Sequence, residues 1–201
     1  NAKIAITLPK QMIAKSAAEF SALTLDVNLG DEIAYEYKGS DKSLINSKNK
    51  LIYATDGTIV ARLINDPLLK EYNAVIIDEA HERKVQIDFL LYLLKNVLEN
   101  RNDFKLIIMS ATINVDIFKD YFKKFKFIHE DIGGKTNFPI HSIFLDNNIK
   151  SNTYIDKGVE IINKILKENE KNCDILFFVT SVLETSKVCE KLSNLDHVIC
   201  F

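Results

Sequence analysis

The run Ala74-Val75-Ile76-Ile77 is apolar at every position and stops at Asp78-Glu79. A strand with one wet face alternates; a strand that is apolar throughout is covered on both faces, which belongs to a parallel sheet flanked by helices. An acidic pair at its carboxyl end stands where open α/β sheets place their ligands. Such a pair can simply cap the next helix. It also suits a nucleoside triphosphate, which arrives with magnesium, a cation that takes oxygen ligands and keeps several of its waters. One carboxylate then holds the hydrated metal while its neighbour orients or deprotonates the attacking water. Asp78 fits the first role and Glu79 the second.

The rest of the chain repeats the pattern. Apolar stretches at 4–8, 33–37, 51–54, 75–78 and 106–110 predict strands. Helical spacing separates them at 11–22, 58–65 and 87–98, the last with Phe89, Leu90, Leu93, Leu94 and Val97 on one stripe. Strand and helix in alternation predict an α/β fold with a parallel sheet between helices. Beyond residue 141 a second series is expected: a strand at 142–145, a helix at 154–167, a strand at 175–180 and a helix at 182–192. The expected division is a first lobe at 1–129, a connection at 130–141 carrying Gly133-Gly134 and Pro139, and part of a second lobe at 142–201.

The whole string Asp78-Glu79-Ala80-His81-Glu82-Arg83 after an aliphatic strand resembles motif II of the DEAH-box helicases. Other motifs of that family are present in order. Thr7-Leu8-Pro9-Lys10-Gln11 resembles motif Ia, usually Thr-Gln-Pro-Arg-Arg, and Leu29-Gly30-Asp31-Glu32-Ile33-Ala34-Tyr35 resembles the stretch after it. Thr55-Asp56-Gly57, continuing through Arg62 to Asp66-Pro67-Leu68-Leu69, resembles motif Ib and the run that leads into motif II. Ser110-Ala111-Thr112 closes its strand as motif III does, and Asp174 to Thr180 resembles motif IV.

The resemblance implies two RecA-like lobes, ATP or another NTP with Mg2+, and RNA as the strand moved, DNA being possible. It assigns Asp78 to the metal through water, Glu79 to the metal site and the hydrolytic water, and His81 with Ser110, Ala111 and Thr112 to coupling. Pro9, Lys10, Thr55, Asp56, Gly57, Arg62 and Thr180 would track the sugar-phosphate backbone without reading bases. Lys10-Gln11 replaces the family's paired arginines, so one cation is lost and the other is no longer bidentate. Ser181 stands where motif IV usually has Gly.

The family's phosphate loop would lie ahead of motif Ia, and motifs V and VI with the arginine finger beyond Phe201. This chain is therefore expected to be an internal piece of a longer polypeptide that does not complete the site alone. Gly133-Gly134-Lys135-Thr136 is not that loop, because the G-x-x-x-x-G-K-[ST] pattern needs Gly where His129 stands. His81-Glu82 is not a zinc-protease motif, because position 85 is Val85 rather than a second His. The cluster Lys119, Tyr121, Phe122, Lys123, Lys124, Phe125, Lys126 reads as aromatic rings turned inward under solvated lysines.

Hydrophobic residues make up 47% of the 201 residues and the formal net charge is −2. No apolar run approaches the roughly 20 residues of a membrane span. Nothing reads as a signal peptide, so an intracellular setting (cytoplasm, nucleus or virion) is expected over secretion. Cys173, Cys189 and Cys200 form no C-x-x-C pair and are expected as reduced thiols. Two other classes stay open: a non-catalytic nucleic-acid- or partner-binding module derived from a helicase, and a DNA translocase.

Overall fold

The computed structural model describes residues 2–111, 114–133, 138–145, 153–168 and 174–195. It separates into two compact units, Asn1–Ile132 and Gly133–Phe201. The first contains strands β1 (Ile4–Leu8), β2 (Ile33–Glu36), β3 (Leu51–Thr55), β4 (Ala74–Ile77) and β5 (Lys105–Ile108). Its helices are α1 (Gln11–Thr24), α2 (Asp56–Asn65), α3 (Val85–Asn100) and α4 (Val115–Tyr121). All strands are parallel, in the order β2-β3-β1-β4-β5.

Side-chain alternation along each strand decides which helix covers which face. Ile52 and Ala54 of β3 pack with Ile59 and Leu63 of α2 and with Ile87, Leu90, Leu94 and Val97 of α3. Leu51 and Tyr53, one position out of phase, turn to the other face with Ile33, Tyr35 and the α1 residues Ala18 and Ala22. Helices thus lie on both faces, as the unbroken apolar strands require. Along β5 the cover is thinner: Ile107 is 46% exposed and Met109, just past its end, 40%.

The register fixes where the strands stop. Leu8 pairs with Thr55, Thr7 with Ile77, and Ile77 with Ile108. The segments after β1, β3, β4 and β5, which carry the four motifs from Ia to III, therefore leave the sheet at one common edge.

The second unit contains α5 (Tyr154–Glu168) and α6 (Val182–Lys191). Ile162, Val188 and Leu192 form its small core, with Phe177 and Val179 packed against it. Gly158 allows this packing, since a Cβ there would collide with the Phe177 ring. The strands expected at 142–145 and 175–180 are not formed: among the described residues of this unit none is paired into a sheet. The period-two pattern is present, with Phe177 and Val179 inward and Leu176 and Phe178 exposed. A strand, however, exists only where a neighbour completes its ladder. The thiol reading also needs correction, because Cys189 is disulfide-bonded. Sequence spacing cannot exclude a pair that the fold brings together. The other two cysteines, and the Gly134-Lys135-Thr136 stretch, lie outside the described residues.

Candidate functional site at the carboxyl edge of the sheet

Backbone hydrogen bonds hold the acidic loop in place. The Asp78 N–H donates to the Thr7 carbonyl at 3.1 Å, and the Ala80 N–H to the Met109 carbonyl at 3.1 Å. The loop is thereby tied to β1 on one side and to the end of β5 on the other. Asp78 Oδ1 accepts the Glu79 N–H at 2.9 Å, which turns the chain sharply. Glu79 itself adopts a left-handed backbone, φ 56°, and so does Arg83, φ 45°, on either side of the single 3-10 turn Ala80–Glu82. A non-glycine residue there costs roughly 1–2 kcal/mol, and such conformations concentrate at functional sites.

The side chains form a chain of contacts. His81 Nε2 lies 3.2 Å from Glu79 Oε2, and its Nδ1 lies 3.3 Å from Ser110 Oγ. One imidazole therefore joins the acidic pair to the segment after β5. Ala111 is exposed beside Ser110, and Thr112 lies outside the described residues. Among the described residues no group of three or more His, Cys, Asp or Glu side chains could cage a metal. A one- or two-carboxylate site is what magnesium accepts when phosphate oxygens and water supply its remaining ligands, so Asp78 and Glu79 fit that ion by donor chemistry.

The candidate strand contacts divide into two groups. Pro9 is half-buried and Lys10 exposed where α1 begins, Thr55 is half-buried, and Gly57 is exposed with no atom within 4 Å of where a Cβ would stand. The Thr55 and Thr58 hydroxyls lie 2.8 Å apart. Neither α1 nor α2 has a side-chain cap, so their first N–H groups lack a capping side chain. Asp56 and Arg62 are placed differently. Asp56 is 3% exposed, and its Oδ1 and the buried Thr7 Oγ1 lack well-formed hydrogen bonds. Burial raises the Asp56 pKa against the pull of the Thr7 hydroxyl and the Lys84 ammonium. The Arg62 guanidinium donates to Glu36 at 2.6 and 2.9 Å and to Glu71 at 3.0 Å, and it stands over the Tyr72 ring. Both residues are engaged inside the unit rather than presented to a ligand.

Sequence reasoning missed Lys84 and Glu184. Lys84 pairs with Glu82, which its hydrogen bond holds below the usual carboxylate pKa, with Lys10 and His81 adding attraction. In the second unit Thr180 is bound by Glu184, a contact that the Ser181-x-x-Glu184 spacing could have signalled. In the 119–126 cluster Phe122 is buried and Phe125 packs on the core as expected, but Tyr121 is exposed, and Lys95 stands 4.0 Å from its ring centroid.

An open parallel sheet with helices on both faces and an acidic loop at its carboxyl edge is a RecA-like architecture. Residues 4–120 match the family model for the DEAD/DEAH box helicase, and the chain belongs to that family. It is 46% identical over 194 residues to a putative ATP-dependent RNA helicase, L540, of Acanthamoeba polyphaga mimivirus, covering 96% of this chain and 28% of that protein. It is 36% identical to the ATP-dependent RNA helicase HrpA of Borreliella burgdorferi, covering 99% of this chain and 24% of the relative. Among solved structures it matches the Escherichia coli DEAH/RHA helicase HrpB with a TM-score of 0.81 and 27% identity, covering 96% of this chain and 24% of that one. The chain thus spans about a quarter of the length of these relatives.

Proposed function

We propose that this chain is part of an ATP-dependent RNA helicase that couples hydrolysis of a magnesium-bound nucleoside triphosphate to movement along RNA and separation of its strands. The observation that carries the reading is the continuous contact Glu79–His81–Ser110, in a loop tied by backbone bonds to β1 and to the segment after β5. Asp78 would hold the metal through its waters, and the metal would neutralise charge on the phosphates. Glu79 orients the hydrolytic water and accepts its proton. His81 senses the position of the Glu79 carboxylate and passes it to Ser110, with Thr112 completing the coupling segment.

Pro9, Lys10, Thr55, Gly57 and Thr180 offer an exposed cation, hydroxyls and backbone to a strand, while Asp56 and Arg62 brace the elements beneath. RNA is favoured over DNA by the names of the relatives at 46% and 36% identity. Residues 142–201 are read as the beginning of a second RecA-like lobe, with 130–141 as the connection to it.

The test is Glu79→Gln in the full-length protein. Hydrolysis should fall by about 100-fold or more, the usual contribution of a positioned general base, while nucleotide affinity stays within a few fold. Unimpaired turnover would remove Glu79 from the chemistry.

A further inference from the structure

Thr180 is exposed at the end of the extended segment 174–180, and Ser181 caps α6 by accepting the Glu184 N–H at Oγ, 3.4 Å away. In the usual reciprocal arrangement the carboxylate at the third helical position returns to the N–H of the cap residue itself. Glu184 reaches one residue further back. Its Oε2 accepts the Thr180 N–H at 2.9 Å and the Thr180 hydroxyl at 2.5 Å. A single anionic oxygen therefore occupies both donors with which Thr180 can hold a phosphate oxygen. The buried Tyr154 hydroxyl lies against the Glu184 carboxylate, whose nearness raises the tyrosine pKa. These contacts, Thr180 first, also hold the Glu184 carboxyl below its ordinary pKa, so it is an anion at neutral pH.

We infer that Glu184 is a built-in competitor for phosphate: its carboxylate fills the Thr180 donors until a nucleic-acid phosphate displaces it, and so sets how tightly this unit holds a strand. The inference rests on the reading of Thr180 as a strand contact. Carboxylate and phosphate oxygens are both anionic acceptors, and two anions cannot share one pair of donors at contact distance. Displacement takes away charge-assisted bonds, which lowers affinity. The occupant also keeps the donors aimed and spaced for the ligand that replaces it.

The experiment measures binding of a labelled single-stranded oligoribonucleotide to the full-length protein by fluorescence anisotropy. Glu184→Asp keeps the charge but is one methylene too short to reach Thr180, and it should bind RNA about three- to tenfold more tightly, the worth of a lost competing charge-assisted bond. Glu184→Gln, of unchanged length and neutral, is the second variant should Glu184→Asp fold poorly, and it should shift binding in the same direction. Thr180→Val should weaken binding, and in the double variant it should cancel the gain from Glu184→Asp. Unchanged or weaker binding by folded Glu184→Asp and Glu184→Gln, with Thr180→Val still weakened, overturns the competitor role and leaves the strand contact standing. Unchanged binding by Thr180→Val overturns both.

Discussion

The two units of this chain share one pattern of apolar stretches and amphipathic helices, yet among the described residues only the first forms a sheet. In the first, each strand from β1 to β5 finds a parallel neighbour, and helices seal both faces over buried side chains such as Val75, Ile77, Leu90 and Leu94. In the second, the 175–180 segment keeps strand-like alternation but has no ladder among the described residues, and the core reduces to Ile162, Val188 and Leu192 with a few partly buried neighbours. Alternation reports which side of a segment is wet; pairing depends on what lies alongside. The stability of the first unit is accordingly set by a deep interior, and that of the second by a few contacts between α5, α6 and the 177–179 stretch.

This contrast can be broken by measurement. Leu94→Ala removes a fully buried side chain from the α3 stripe and should cost about 3 kcal/mol, whereas Ile162→Ala, in the thinner core, should cost about 2 kcal/mol at most. Calorimetry should show each change moving a different thermal transition; a single transition moved equally by both would mean that the two units fold as one. A smaller effect is expected from Gly158→Ala. The alanine gains helix propensity worth roughly 1 kcal/mol, but its methyl displaces the Phe177 ring, so the net result should be a loss of about 1 kcal/mol confined to the second unit. A gain in melting temperature would show that Phe177 has room to move.

The smallest effect concerns pH. The Asp56 pKa is raised by burial, so the folded first unit binds its proton more tightly than the unfolded chain does. Stability from this group is therefore present below its ordinary value of 3.8 and is lost as pH rises through the raised one. Asp56→Asn should melt later than the unsubstituted protein at neutral pH, and the difference should vanish as pH falls below about 4. A constant difference across the titration would assign the gain to something other than the carboxyl's charge.

The first unit was largely legible because its signals are local and strong. Five largely apolar stretches, several of them continuous, predicted five strands, and Asp78-Glu79 at the end of one of them marked the edge where the loops gather. The contact between His81 and Ser110, residues 29 apart in sequence, also accords with the resemblance, because β4 and β5 are neighbours in register. What escaped was long-range charge. The resemblance placed Arg62 and Asp56 on the nucleic-acid strand, whereas Arg62 is paired with Glu36 and Glu71 from other elements and Asp56 is buried beside Thr7. Charged residues read one at a time look available. Availability is settled by partners that sequence distance hides.

The left-handed backbone at Glu79 has a consequence for anyone improving this protein. The residue assigned to activate water stands in a conformation that glycine adopts without cost. Under the function proposed above, heat tolerance and turnover therefore pull position 79 in opposite directions, and a screen that rewards heat tolerance alone is expected to enrich glycine there at the expense of the assigned water-activating carboxylate.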